Sequence, residues 1–154
     1  MVEKEDHLKI EGRFSGTIRA QTMFLDTEMH INFGKNIVVN NGLVLALQRL
    51  AGVSANPITH MALGTSGTAE SATQTTLGTE TIRKSATINV DSGNYKVTAQ
   101  ATFSGNDATG TQELGIFNSS SAGTMFARKV ISPALSLPSG FNIVITWSAT
   151  LGRP

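Results

Sequence analysis

From residue 95 to residue 103 the chain alternates without a break. Tyr95, Val97, Ala99, Ala101 and Phe103 hold one phase, and Lys96, Thr98, Gln100 and Thr102 hold the other. Such alternation predicts a strand with one dry face and one wet face. The pattern returns over 141–150, where Phe141, Ile143, Ile145, Trp147 and Ala149 share the inward phase. Shorter pieces follow the same rule. Met29, Ile31 and Phe33 point inward from one strand, and Ile82, Ala86, Ile88 and Val90 from another. Residues 37–39, 59–63, 114–117 and 124–131 read as further strands. Asp91-Ser92-Gly93-Asn94 supplies the hairpin turn into 95–103. Pro133 and Pro138 bracket a short piece that belongs on an edge.

One segment has the helical period instead. Leu43, Ala46, Leu47 and Leu50 fall at i, i+3, i+4 and i+7, which predicts a helix over 41–51. Asn40 or Asn41 is placed to cap its first turn, and Gly52 to end it. Val44 and Leu45 widen the apolar face beyond what one sheet contact needs. Residues 64–78 are Thr, Ser, Gly and Ala in the main and read as a long surface loop. The pattern as a whole gives a mainly β protein, an antiparallel β-sandwich of about eight or nine strands with one short α-helix. The charges crowded into residues 1–13 suggest a flexible arm there, leaving 14–154 as a single sandwich domain.

Composition narrows the chemistry. Charged residues make up only 15% of the 154 residues, and the net charge is +1. Arg83-Lys84 and Arg128-Lys129 are the only adjacent basic pairs, so no basic stripe exists to bind nucleic acid by counterion release. With no cysteine there is no disulfide, thiol nucleophile or Cys-based zinc site. No apolar run reaches the roughly 18 residues of a membrane span. The charged start, Met-Val-Glu-Lys-Glu-Asp-His, does not look like a signal peptide, which points to synthesis in a cytoplasm.

Candidate chemistry is sparse. His7 lies in the charged arm, and His30 and His60 lie far apart on strands; His60 reads as a core or interface histidine. Gly64-Thr65-Ser66-Gly67 loosely suggests a phosphate loop but lacks the Lys and the helix start. Asp91-Ser92-Gly93-Asn94 and Asn106-Asp107 carry oxygens suited to calcium, too few in either place. Glu80 and Arg83 are spaced to form an ion pair. Glu113 stands alone before an apolar strand, without the second group that acid–base catalysis needs. The reading is a protein with no catalytic, cofactor or metal residues.

Several segments together carry a resemblance. They are Asn36-Ile-Val-Val-Asn-Asn-Gly-Leu43, Ile58-Thr-His-Met-Ala-Leu-Gly-Thr65, Leu77 with Glu80 and Arg83, Glu113-Leu-Gly-Ile-Phe117, and Gly123-Thr-Met-Phe-Ala-Arg128. Their order and spacing over about residues 34–151 resemble small virion structural proteins of tailed bacteriophages, tail-fibre-like or decoration-like. The chain lacks the long repetitive shaft of true fibres. The resemblance implies a non-enzymatic virion protein, assembled in the host bacterial cytoplasm and mounted on the tail, neck or fibre apparatus. Its partners are then other copies of itself, as a homotrimer or ring, and other virion proteins. A capsid decoration protein clamping coat subunits is the alternative, and a module binding a host surface glycan is a second. Against that last reading, the single Trp and single Tyr both fall on inward phases. The residues expected to carry assembly are Leu43, Val44, Leu47 and Leu50 on the helix, with His7 and Arg13 in the arm.

Overall fold

The computed structural model describes residues 9–20 and 28–152, with Lys9, β1 beyond Gly12 and Glu28 described by backbone alone. It is an antiparallel β-sandwich of two five-stranded sheets. The strands are β1 (Lys9–Ala20), β2 (Glu28–Lys35), β3 (Ile37–Val38), β4 (His60–Gly64), β5 (Glu80–Ser85), β6 (Thr87–Asp91), β7 (Lys96–Ser104), β8 (Glu113–Phe117), β9 (Met125–Val130) and β10 (Phe141–Gly152). Helix α1 spans Asn40–Leu50, and a single turn of helix, α2, spans Gly105–Ala108. One sheet has the order β2-β1-β10-β7-β6, the other β3-β9-β8-β4-β5.

The two long alternating segments pair with each other. Trp147 lies opposite Ala99, Ile145 opposite Ala101 and Ile143 opposite Phe103, so the two inward phases coincide. Inward and outward residues swap with every step along a strand, so this register alone puts both apolar rows on one face. That face meets Met61, Leu63, Leu114 and Ile116 from the second sheet, and all of these side chains are buried. Trp147 is fully buried and stands edge-on to Phe126, with ring centroids 5.4 Å apart. The indole N–H has no partner among the described residues, so packing is what holds the ring.

Three expectations need correction. Residues 9–13, expected in the charged arm, are the start of β1, paired with β10 throughout and with β2 from Arg13 onward. The reason is visible in the sequence, where Ile10, Gly12, Phe14, Gly16 and Ile18 alternate with Lys9, Glu11, Arg13, Ser15 and Thr17, the period of a strand. Residues 1–8 lie outside the described residues. Secondly, the single strand expected over 82–90 is two, because the chain leaves one sheet at Ser85 and enters the other at Thr87. The crossing is fixed by Ala86 N–H donating to the Thr59 carbonyl at 2.8 Å. Thirdly, there are ten strands and a second short helix among the described residues. Ser104 caps that helix by accepting from Asp107 N–H at 3.1 Å.

The second sheet is buried on both faces. Its outer face is covered by α1 and by residues 64–79, which form a third layer. Val39, Ala62, Leu77, Phe117 and Met125 make a small core of their own there. Gly115 lies under this layer; a Cβ at that position would come within 2.9 Å of Leu77. The glycine makes room for the covering loop.

Truncating Trp147 to Ala is expected to cost about 3–5 kcal/mol, as for other large core side chains. Trp147→Phe should cost less than half of that, because the indole N–H has no bond to lose. Urea unfolding followed by circular dichroism gives both values.

Candidate interaction surface

The third layer is held by a buried ion pair. Glu113 and Arg128 sit on the neighbouring strands β8 and β9, and neither side chain is exposed at all. Arg128 donates to Glu113 Oε2 from Nη2 at 2.8 Å and from Nε at 3.0 Å. Its Nη1 reaches outward to the Thr68 carbonyl at 2.9 Å and to Gln74 Oε1 at 3.1 Å. The Glu113 carboxylate also accepts from three backbone amides of the loop: Thr79 at 2.7 Å, Gly78 at 2.9 Å and Ser66 at 3.3 Å. Gly64 leaves the room for this, since a Cβ there would lie 2.5 Å from Glu113 Oε1. The loop thus turns its amides toward the protein's own carboxylate, and the phosphate-loop likeness of 64–67 has this explanation.

Burial pushes the Glu113 carboxyl up, but the amides of Thr79 and Gly78 and the Arg128 guanidinium more than offset it. The result lies below the ordinary glutamate value of 4.5. Beside the pair, Arg83 forms a bidentate bridge to Glu80 at 2.6 and 2.8 Å, the pairing their spacing suggested. Its guanidinium lies 3.6 Å above the centre of the Phe117 ring. Its remaining nitrogen ties down the 119–122 turn through the carbonyls of Ser119 and Ala122.

The loop in turn holds the start of α1. Asn40 N–H donates to the Ala72 carbonyl at 2.8 Å, and Val39 N–H to Phe126 at 3.1 Å. These bonds replace the side-chain cap expected of Asn40 or Asn41; Val39 occupies the cap position and no side chain closes it. At the far end Gly52, at φ +69°, donates to Arg49 while Val53 donates to Gln48, a Schellman closure.

The helix faces the sheet with its small side. Gly42 is pressed so closely on the Phe126 carbonyl that any Cβ would collide with it. Leu45 is buried, and Ala46 is half-buried alongside. The large apolar residues Leu43, Leu47 and Leu50 therefore point away from the sheet, and of the periodic set only Ala46 contacts the core. Leu47 is 65% exposed and Leu50 is 80% exposed, with Leu43, Val44 and Val53 about half exposed. The single charge of α1, Arg49, is turned back to donate to the Ala55 carbonyl at 2.9 Å. A row of uncharged apolar side chains is left on the surface.

Next to it runs an apolar groove of about 940 Å³. Its first-sheet lining comes from the ends of β1, β10, β7 and β6 that lie around the β6–β7 turn. Ile10, Val90, Val97 and Leu151 line one side, and Ala46 and Phe126 the other. Val90 is 73% exposed although its phase is inward, since nothing of the second sheet lies beneath it. Tyr95 is not inward either. It sits in the β6–β7 turn at φ +52° and is 70% exposed at the rim of the groove.

The helical residues expected to mediate assembly thus share one exposed surface. Arg13 lies within β1, opposite Ser148 and Lys35, and His7 lies outside the described residues. The other candidates are held by local bonds. His60 Nδ1 is 2.8 Å from Thr59 Oγ1. The Asp91 carboxylate is held below the ordinary range by bonds from the Asn94 side chain and amide. The Asp107 carboxylate is lowered by Lys84, 2.9 Å away, and by Ser104. Among the described residues, no three His, Asp or Glu side chains gather as a metal site requires. No protein family, curated protein or solved structure matches the chain.

Two outcomes are expected of this scaffold. Gly42→Ala should destabilise the protein by about 1–3 kcal/mol through overpacking against Phe126, measured by denaturant titration. Arg128→Met should cost about 3–5 kcal/mol, because it leaves Glu113 buried without its cation. Since the folded-state pKa of Glu113 is lowered, its contribution is complete above pH 4.5 and is lost as pH falls through the folded value. Glu113→Gln should therefore be less stable at neutral pH and show a shallower loss of stability in acid, as read from unfolding curves across pH.

Proposed function

We propose that this chain is a non-enzymatic structural protein of a tailed-bacteriophage particle, mounted on the tail, neck or fibre apparatus and acting through protein–protein contacts. The observation that carries the contact-driven reading is the uncharged apolar face of α1, left exposed on a firmly held sandwich. Scattered surface hydrophobics are normal in soluble proteins, whereas a contiguous row marks a docking surface. The assignment to a virion rests on the resemblance described above. The segments that carry it, including Glu113-Leu-Gly-Ile-Phe117 and the stretch ending at Arg128, converge on one buried network. They therefore encode a shared scaffold and leave the partner to the surface.

A glycan-binding module remains the second reading, because Tyr95 stands exposed beside a groove where a sugar ring would stack. A cryo-EM map of the particle, with immunogold labelling of the protein, tests the first reading. Density for this sandwich on the tail, neck or fibre is the expected result. Density on the head lattice would move the assignment to capsid decoration. Absence from purified particles, together with glycan binding lost in Tyr95→Ala, would replace it with the second reading.

A further inference from the structure

We infer that two copies of this chain pair about a two-fold axis, each laying the outer face of α1 into the groove of the other; this names the partner of the contact surface and rests on the contact-driven reading above. The donor has the required form. Leu43, Leu47 and Leu50 stand at i, i+4 and i+7, the spacing by which an amphipathic helix anchors in a groove. The acceptor is mainly apolar, with Val90, Val97 and Leu151 facing Ala46 and Phe126, and Asp91, Ser92 and Lys96 around the β6–β7 turn.

Charge selects the occupant. The row Leu43, Leu47 and Leu50 is uncharged, and the one charge of α1, Arg49, is exposed and donates to the Ala55 carbonyl. The groove's two ionised residues, Asp91 and Lys96, are opposite in sign and attract each other, and Asp91 is further held by Asn94. Neither surface offers a charged partner a complementary field. Each offers the other a neutral apolar match.

Position selects the symmetry. Ala46 lines the groove from α1 itself, so ridge and groove share one helix and lie on one side of the molecule. Two copies facing each other across a two-fold fill both grooves at once and leave no ridge over. A head-to-tail ring needs ridge and groove to meet two different neighbours, for which patches that adjoin on one helix leave little room. The two-fold therefore takes precedence over the trimer or ring suggested by the sequence. The exposed apolar side chains of α1, β6, the β6–β7 turn and Leu151 offer on the order of 1,000 Å² per copy, and a standard interface uses about 800 Å² per partner.

Sedimentation velocity at micromolar concentration, combined with cross-linking, tests the pairing. A dimer is expected. Leu47→Glu on the ridge and Val90→Glu in the groove should each weaken it about 30-fold or more, as for interface hot spots. Thr102→Glu, on the outer face of β7, should leave it unchanged, and Trp147 fluorescence confirms that each variant is folded. The natural absence of cysteine allows a direct check. A Leu47→Cys protein mixed with a Val90→Cys protein should be joined by a short bis-maleimide, and Leu47→Cys mixed with Thr102→Cys should not. A dimer indifferent to both Glu substitutions overturns the pairing and leaves the contact-driven reading in place. A trimer overturns the two-fold. A monomer that still enters particles overturns self-pairing while the virion assignment stands, and a monomer absent from particles removes both.

Discussion

The Glu113–Arg128 pair is the constraint on which the outer half of this molecule depends. A buried ion pair stabilises little by itself, because desolvation offsets most of the attraction. Its effect here is positional. Five hydrogen-bonding groups around Glu113 come from two distant parts of the chain, and all must be present for the carboxylate to be buried. Residues 65–79 have no regular structure and bury chiefly Leu77. The carboxylate collects three of their amides, and Glu70 adds a second tie by accepting from Val130 N–H at 2.6 Å. The loop then holds Asn40, and Asn40 begins α1. A polar contact inside the protein thereby sets where the apolar surface stands.

The same arrangement explains why the surface is apolar at all. A helix packed by its widest apolar face would bury Leu43, Leu47 and Leu50. Gly42 instead lets the backbone approach β9 more closely than any side chain permits, and the helix settles on its small residues. The large residues are then left outside. Close backbone packing and an exposed leucine row are two results of one choice of helix face.

Much of the sandwich is legible in the sequence. The alternation of Val97 to Phe103 and of Ile143 to Ala149 gives both strands and their buried phases, because period two is a property of single residues read in order. The reading weakens where the decisive contact is non-local or involves no side chain. Gly42 carries no apolar signal, so apolar periodicity alone does not show that α1 packs on its small side. Glu113 and Arg128 lie on separate strands, and each alone looks like an ordinary surface charge. Residues 82–90 keep one phase in the sequence while changing sheets in space. For β1 the signal was present, in Ile10, Gly12 and Phe14, but the charges between them masked it. Tyr95 follows the alternation of its strand yet lies one residue before it, where the turn releases the side chain.

The pairing of β1 with β10 orders the events of folding. These two strands adjoin along their whole length, Lys9 beside Gly152 and Ala20 beside Phe141. The second sheet draws only on residues 37–130 and can close as soon as they are together. The first sheet cannot, because its middle strand, β10, comes last of its five strands in sequence. Without β10, β1 and β7 have open edges and Phe103 lacks its cross-strand neighbour Ile143. Closing so long a loop is slow on topological grounds, so the joining of β1 to β10 is where this topology concentrates the entropic cost of folding.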